Sequence, residues 1–269
     1  MEYKVLNLQY PEKSDIKYEI IQFPDGEKQI NILDPLVNMK EMIFIKTRIK
    51  NADDLFILLQ VYDIFKRHCL EINVKIMYLM SQRNDRLFSY GRAVSTDIVY
   101  KLISNADRVF VLCPHNTSKA VEYKAVQLLF PSSKNYLKYR SKKYFYPDSN
   151  AKARFGAFSD AFGEKVRDIS TGKITNYKIT VPDEWKEDKF DWIIVHDDLC
   201  DGGYTFKLAY EKLKERFPDK KFALLVNHAV QEEGLRSVCD LYDEVIVSNS
   251  FDDWDKLNIP NLKVLDVWD

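Results

Sequence analysis

Short apolar runs alternate with stretches of helical periodicity along most of this chain, and that alternation points to a mainly parallel sheet flanked by helices. In the first half the runs are Met42 to Ile45, Ile72 to Met80 and Val109 to Cys113. Between the first two, Leu55, Leu58, Leu59, Tyr62 and Phe65 recur at helical spacing over Asp53 to His68, with Asp53 or Asn51 available as a cap. A second helix is expected from Ser95 or Thr96, burying Ile98, Leu102 and Ile103. In the second half Tyr144 to Tyr146, Trp192 to Val195, Phe222 to Val226 and Val245 to Val247 read as strands. Thr205 to Phe217 reads as a helix with Phe206, Ala209, Tyr210, Leu213 and Phe217 on one face. The Lys- and Tyr-rich stretch Ser132 to Lys143 is the expected junction. It gives two α/β domains, 1–135 and 136–269, with the last strand free to pack on the N-terminal domain.

With 269 residues, 46% of them hydrophobic, there is material for two cores. The 40 Lys and Arg nearly cancel the 41 Asp and Glu, so no global field draws nucleic acid or an anionic membrane, and neither is expected as a partner. Met1 to Tyr10 lacks the pattern of a secretory signal, and no run approaches the ~20 apolar residues of a membrane span, so a cytoplasmic location is expected. The four cysteines, Cys69, Cys113, Cys200 and Cys239, form no C-x-x-C pair and are expected to be small buried residues. No internal repeat is visible. Few glycines beside abundant Lys, Asn and Ile suggest an AT-rich source, bacterial or phage.

The most informative segment is Trp192-Ile193-Ile194-Val195-His196-Asp197-Asp198-Leu199-Cys200-Asp201-Gly202-Gly203-Tyr204-Thr205. An apolar strand, an acidic pair, a glycine turn and a helix start place carboxylates and backbone N–H groups at the carboxyl end of a sheet, where open α/β folds bind ligands. The N–H groups and helix dipole suit a phosphate, while Asp197 and Asp198 suit vicinal sugar hydroxyls or Mg²⁺. An acidic turn that only caps the next helix is the competing reading.

The segment resembles the PRPP-binding loop of type I phosphoribosyltransferases and, more closely, the D-D-x-x-D-T-x-G-T loop of the PRPP synthetase (ribose-phosphate diphosphokinase) family. Asp197, Asp198, Asp201 and Thr205 match, whereas Gly202 replaces the family threonine and Tyr204 its glycine. Further stretches resemble that family in order. These are Phe23-Pro24-Asp25-Gly26-Glu27, Gln82-Arg83-Asn84-Asp85-Arg86, Arg92 to Thr96, Asp107-Arg108-Val109, Leu112-Cys113-Pro114-His115, Tyr146-Pro147-Asp148, Lys165-Val166-Arg167 with Thr171 to Ile174, and Asn227-His228-Ala229. Cys113 stands where the family carries an aspartate.

The resemblance implies two type I phosphoribosyltransferase-like domains and transfer of pyrophosphate from Mg-ATP to ribose 5-phosphate. It assigns ATP contacts to Phe23, Asp25, Glu27, Arg83, Asn84, Asp85 and His115, with the Phe23 segment serving a neighbouring subunit of a dimer or hexamer. It assigns the sugar phosphate to Asp197, Asp198, Asp201, Gly202, Gly203, Tyr204 and Thr205, and Mg²⁺ to His115, Asp148, Asp197 and Asp198. Lys165, Arg167 and His115 fall in catalytic positions, the first two on a flexible loop. Three alternatives stay open: an acceptor such as ADP-ribose, as in phage NAD metabolism; a non-catalytic regulatory relative; and a transferase that consumes PRPP.

Overall fold

The computed structural model describes residues 3–36, 42–68, 70–128, 141–156, 159–167 and 174–268, with the side chains of 166, 167, 174 and 175 excepted. Cys69, Asp168, Thr171, Gly172, Lys173 and most of the expected junction, 132–140, lie outside the described residues. The described chain forms two compact units, residues 3–128 with Trp268, and residues 141–267.

Unit 1 starts with β1 (Tyr3–Asn7) and an antiparallel hairpin, β2 (Tyr18–Gln22) and β3 (Lys28–Ile32). There follow β4 (Met42–Ile49), α1 (Ala52–Arg67), β5 (Ile72–Leu79), α2 (Ser95–Ile103), β6 (Arg108–Leu112), α3 (Thr117–Glu122) and β7 (Val126–Leu128). The sheet order is β1-β4-β5-β6-β7, all parallel. Ile43, Ile45, Ile72, Val74 and Ile76 are fully buried, as strands covered on both faces require. Helix α1 begins where the Asn51 side chain accepts the Asp54 N–H, and its Leu58, Val61, Tyr62 and Phe65 form the buried stripe. Each such side chain contributes about 1.5–3 kcal/mol. Helix α2 departs from expectation. It buries Thr96, Val99, Tyr100 and Ile103 and leaves Ile98 53% exposed, one step off the face inferred from spacing.

Unit 2 contains β8 (Lys142–Phe145), α4 (Ser149–Phe155), the antiparallel pair β9 (Phe162–Arg167) and β10 (Ile174–Thr180), β11 (Trp192–Cys200), α5 (Tyr204–Arg216), β12 (Lys221–Ala229), α6 (Glu232–Cys239), β13 (Glu244–Ser248) and β14 (Leu262–Leu265). Its sheet order is β14-β13-β12-β11-β8, again all parallel. Ile193, Ile194, Val195, Leu224, Leu225 and Val226 are fully buried, and Phe206, Ala209 and Leu213 bring α5 down onto the core. The two units share one plan: a strand, an antiparallel hairpin, then four parallel strands laid side by side in chain order.

Strand β11 runs further than its apolar run suggests, because its ladder with β12 continues through Asp197↔Val226 to Cys200↔Ala229. The acidic pair therefore belongs to the strand and not to the turn. The turn beyond it is pressed against α6: a Cβ on Gly234 would lie 1.7 Å from the Asp201 carbonyl oxygen, so only glycine fits. Gly234→Ala is expected to destabilise the chain by about 1–3 kcal/mol through overpacking. The check is a lower denaturant midpoint at unchanged slope.

Candidate active site

Three side chains gather at the carboxyl end of β11 because the strands beneath them are continuous. The Asp197 and Asp198 side chains are 13% and 3% exposed, and the Asp198 N–H donates to Asp197 Oδ1 at 2.8 Å. Between them stands the guanidinium of Arg154, from the last turn of α4. It pairs with Asp198 and lies 3.7 Å from Asp197 Oδ1. Burial pushes the Asp197 carboxyl well above the usual carboxylate range, with the charges of Asp198 and Asp148 adding to the effect and Arg154 opposing it.

Asp148 holds both the start of α4 and Lys165. Its Oδ1 accepts the Ala151 N–H at 2.9 Å, an N-cap, and its Oδ2 pairs with Lys165 Nζ at 2.9 Å. Burial alone would raise this carboxyl; Lys165 and the cap N–H outweigh burial and leave it below its ordinary value. The Tyr146 hydroxyl donates to the Phe155 carbonyl and the Tyr177 hydroxyl to the Pro147 carbonyl, at 2.7 and 2.9 Å, clamping the segment on both sides. Gly163 makes room for that second clamp, since a Cβ there would meet the Tyr177 oxygen at 2.0 Å.

Lys165 and Arg167 were expected on a flexible loop. The structure puts both on strand β9, whose register pairs Lys165 with Tyr177 and Arg167 with Ile174. The Arg167 side chain is not among those described.

Beyond Asp201 the chain turns through Gly202 and Gly203. Gly203 has φ 78° and occupies the N-cap of α5, so no side chain caps the first turn. Uncapped N–H groups and the helix dipole suit an anion there. Thr205 is half-buried in this turn, whereas Tyr204 is 56% exposed and a Cβ on Gly202 would meet nothing within 4 Å.

In unit 1 the loops leaving the adjacent strands β5 and β6 are tied to each other. Gln82, 3% exposed, accepts the His115 N–H at 3.0 Å, and Asp85 accepts from Asn116 at 2.6 Å. Asn84 donates its N–H to the Ser81 carbonyl and accepts the Thr96 N–H, which fixes the loop to the start of α2. Ser81 and Cys113, each just past a strand end, have φ of 61° and 40°, strained values for non-glycine residues that mark where the loops are held. Cys113 is a buried thiol and offers no carboxylate. Arg83 is exposed and His115 half-buried. Phe23, Asp25 and Glu27 form the exposed tip of the β2–β3 hairpin, and Gln60 anchors β3 on α1 just behind that tip, at Lys28 and Ile30.

Asn84, Asp85 and His115 are thus gathered in unit 1, and Asp148, Lys165, Asp197 and Asp198 in unit 2. Gln82 and Arg154 carry structural weight that the motifs did not assign. For Arg154 the available signal was the helix start at Pro147-Asp148-Ser149, which places Arg154 in the same short helix that Asp148 caps. Among the described residues no three His, Cys, Asp or Glu side chains stand ready to hold a metal ion together, and no helix is long and apolar enough to cross a membrane.

No protein-family model matches the chain. It is similar to the ribose-phosphate pyrophosphokinase of Pyrococcus furiosus, 25% identical over 259 residues covering 92% of this chain and 91% of that protein. The protein of the same name from Sulfolobus acidocaldarius is 26% identical over 246 residues, covering 81% and 82%. Among solved structures, phosphoribosylpyrophosphate synthetase from Mycobacterium smegmatis superposes with a TM-score of 0.78 over 99% of this chain and 95% of that one, at 17% identity, a likeness of fold.

Cys200 reports on the packing of the turn. It is fully buried, and burial, with Asp201 and Asp197 adding, pushes its thiol up to about 12. Iodoacetamide at pH 8 should leave Cys200 unmodified in the native chain and alkylate it in denaturant, as read by peptide mass spectrometry.

Proposed function

We infer that this chain, a divergent relative of the ribose-phosphate pyrophosphokinases, transfers the β,γ-pyrophosphoryl group of Mg-ATP to the anomeric hydroxyl of ribose 5-phosphate, giving PRPP and AMP. The observation that carries the reading is the cradle of unit 2: Asp197, Asp198, Asp148 and Lys165 gathered beside an uncapped helix N-terminus. Carboxylates suit vicinal ribose hydroxyls, and free N–H groups at the start of α5 suit the 5-phosphate. The loops of unit 1 supply donors for a triphosphate from Arg83, Asn84 and His115, with Asp85 beside them as an acceptor for the nucleoside, and the hairpin tip with Phe23, Asp25 and Glu27 is offered to a nucleotide of a neighbouring subunit.

In-line transfer to an alcohol needs positioning and charge neutralisation more than covalent participation by the protein. Asp197 and Asp198 orient the sugar so that its anomeric oxygen is presented. Lys165, with Arg167 two residues on, stabilises charge on the bridging oxygen as AMP leaves. In unit 2 the hard oxygens of Asp148, Asp197 and Asp198 fit Mg²⁺, which when bound would supply charge neutralisation on the phosphates; in unit 1 His115 is the residue proposed to hold such an ion. Because no three of these groups stand ready together, phosphate and sugar oxygens complete any such site.

A second acceptor is favoured by one specific observation. The open space at Gly202 and the exposed ring of Tyr204 leave room for a phosphodiester and a stacking base, as in ADP-ribose.

Incubation with Mg-ATP and either ribose 5-phosphate or ADP-ribose, followed by AMP release and product mass, tests both readings. AMP formation with neither acceptor consumed sinks both. Lys165→Ala should lower kcat by about a hundredfold or more at unchanged fold, and near-normal turnover removes Lys165 from the chemistry. Asp148→Asn keeps an acceptor for the Ala151 N–H, so thermal stability should hold within about 1 kcal/mol while kcat falls. If ADP-ribose is the acceptor, Tyr204→Ala should reduce kcat/KM for it and spare ribose 5-phosphate.

A further inference from the structure

The charge balance of the unit 2 cradle turns on Asp197. Among the described residues, the carboxyl groups of Asp148, Asp197 and Asp198 are met by two cations. Lys165 serves Asp148, and Arg154, only 9% exposed, serves the other two. The neighbourhood of Arg154 holds unused polar capacity. Register sets Asn227 beside Asp198, since Asp197 pairs with Val226 and Leu199 with His228, and strand alternation puts His196 on the face of Asp198. His196 stacks on Phe155 with centroids 4.1 Å apart, beside Arg154 on α4. Both side chains are buried, and neither ring nitrogen of His196 nor either amide atom of Asn227 has a hydrogen-bond partner. Buried polar groups are nearly always satisfied, so this face holds more bonding capacity than the ligand-free chain uses.

We propose that Arg154 is the built-in counter-ion of this cradle: it holds Asp197 and Asp198 in place without ligand and competes with a divalent cation for their oxygens. The inference rests on the reading of the cradle as a sugar and cation site. A guanidinium at contact distance stabilises Asp198, whose side chain is almost inaccessible, but it opposes any further positive charge brought to the same oxygens. The division of labour follows from exposure. Asp198 stays with Arg154, while Asp197, the more accessible of the two, is the carboxylate an incoming ion reaches. Arg154 is a positioning residue, acting through the aspartates.

The test is Mn²⁺ binding to the full chain with ribose 5-phosphate present to supply the sugar and phosphate oxygens, measured by titration calorimetry without nucleotide. Arg154→Gln should bind the ion about tenfold tighter than the unsubstituted chain, and Arg154→Lys, which keeps the charge, should bind it nearly as the unsubstituted chain does. Adding Asp197→Asn to Arg154→Gln should abolish the gain. Equal or weaker binding by Arg154→Gln, or no binding to either chain, overturns the proposal.

Removing the guanidinium leaves Asp198 buried without its partner. Should Arg154→Gln fail to fold by circular dichroism, Asp198→Asn is compared with the Asp198→Asn, Arg154→Gln double variant, where tightening is again expected and its absence is fatal. AMP release by the unsubstituted chain is run beside these titrations. AMP release with no tightening removes the role of Arg154 alone, whereas tightening without AMP release removes the reaction.

Discussion

Two adjacent carboxylates inside a parallel strand are tolerable only where a cation meets them, and the Arg154 contact with Asp198 and Asp197 is what permits β11 to carry them. Much of unit 2 serves that contact. Helix α4 exists to deliver the guanidinium, Asp148 starts α4, and Tyr146 and Tyr177 fix the ends of the segment by bonding the carbonyls of Phe155 and Pro147. Removing any one of these loosens the placement of a charge that has little access to water.

Unit 1 reaches order by a different route. Its loops are held by the amide of Gln82 on the His115 N–H, by Asn116 on Asp85 and by the main-chain bonds around Asn84. The strain at Ser81 and Cys113 is sustained by those ties and by the buried strands behind them. One unit thus presents side chains on loops tied by amides and main chain, the other paired charges on a strand.

The strands at the centre of each sheet were legible because double-sided burial demands continuous apolar runs, as at Met42 to Ile45 and Phe222 to Val226. The continuation of β11 through Asp197 and Asp198 was not, because a polar residue within a ladder is indistinguishable from a turn residue when its counter-ion lies more than forty positions away. Helix α4 has seven residues and no apolar stripe, so it left no periodic trace. Lys165 was found by motif, but the motif suggested a loop. Its strand geometry follows from pairing with β10, which sequence spacing does not encode. Ile98 shows the limit of face assignment in a nine-residue helix, where a single step changes which side chains turn inward.

The two like domains were legible in the sequence, but the antiparallel pair that each contains was not, and it bears on how such a chain tolerates change in length. In both, the antiparallel pair is inserted between the first and second strands of the parallel sheet, so the order of the remaining parallel strands does not depend on it. The insertion nevertheless carries chemistry: in unit 2 it brings Lys165 to Asp148, and in unit 1 its tip holds Phe23, Asp25 and Glu27. Length is therefore free to vary only in the parts of each insertion that reach no ligand.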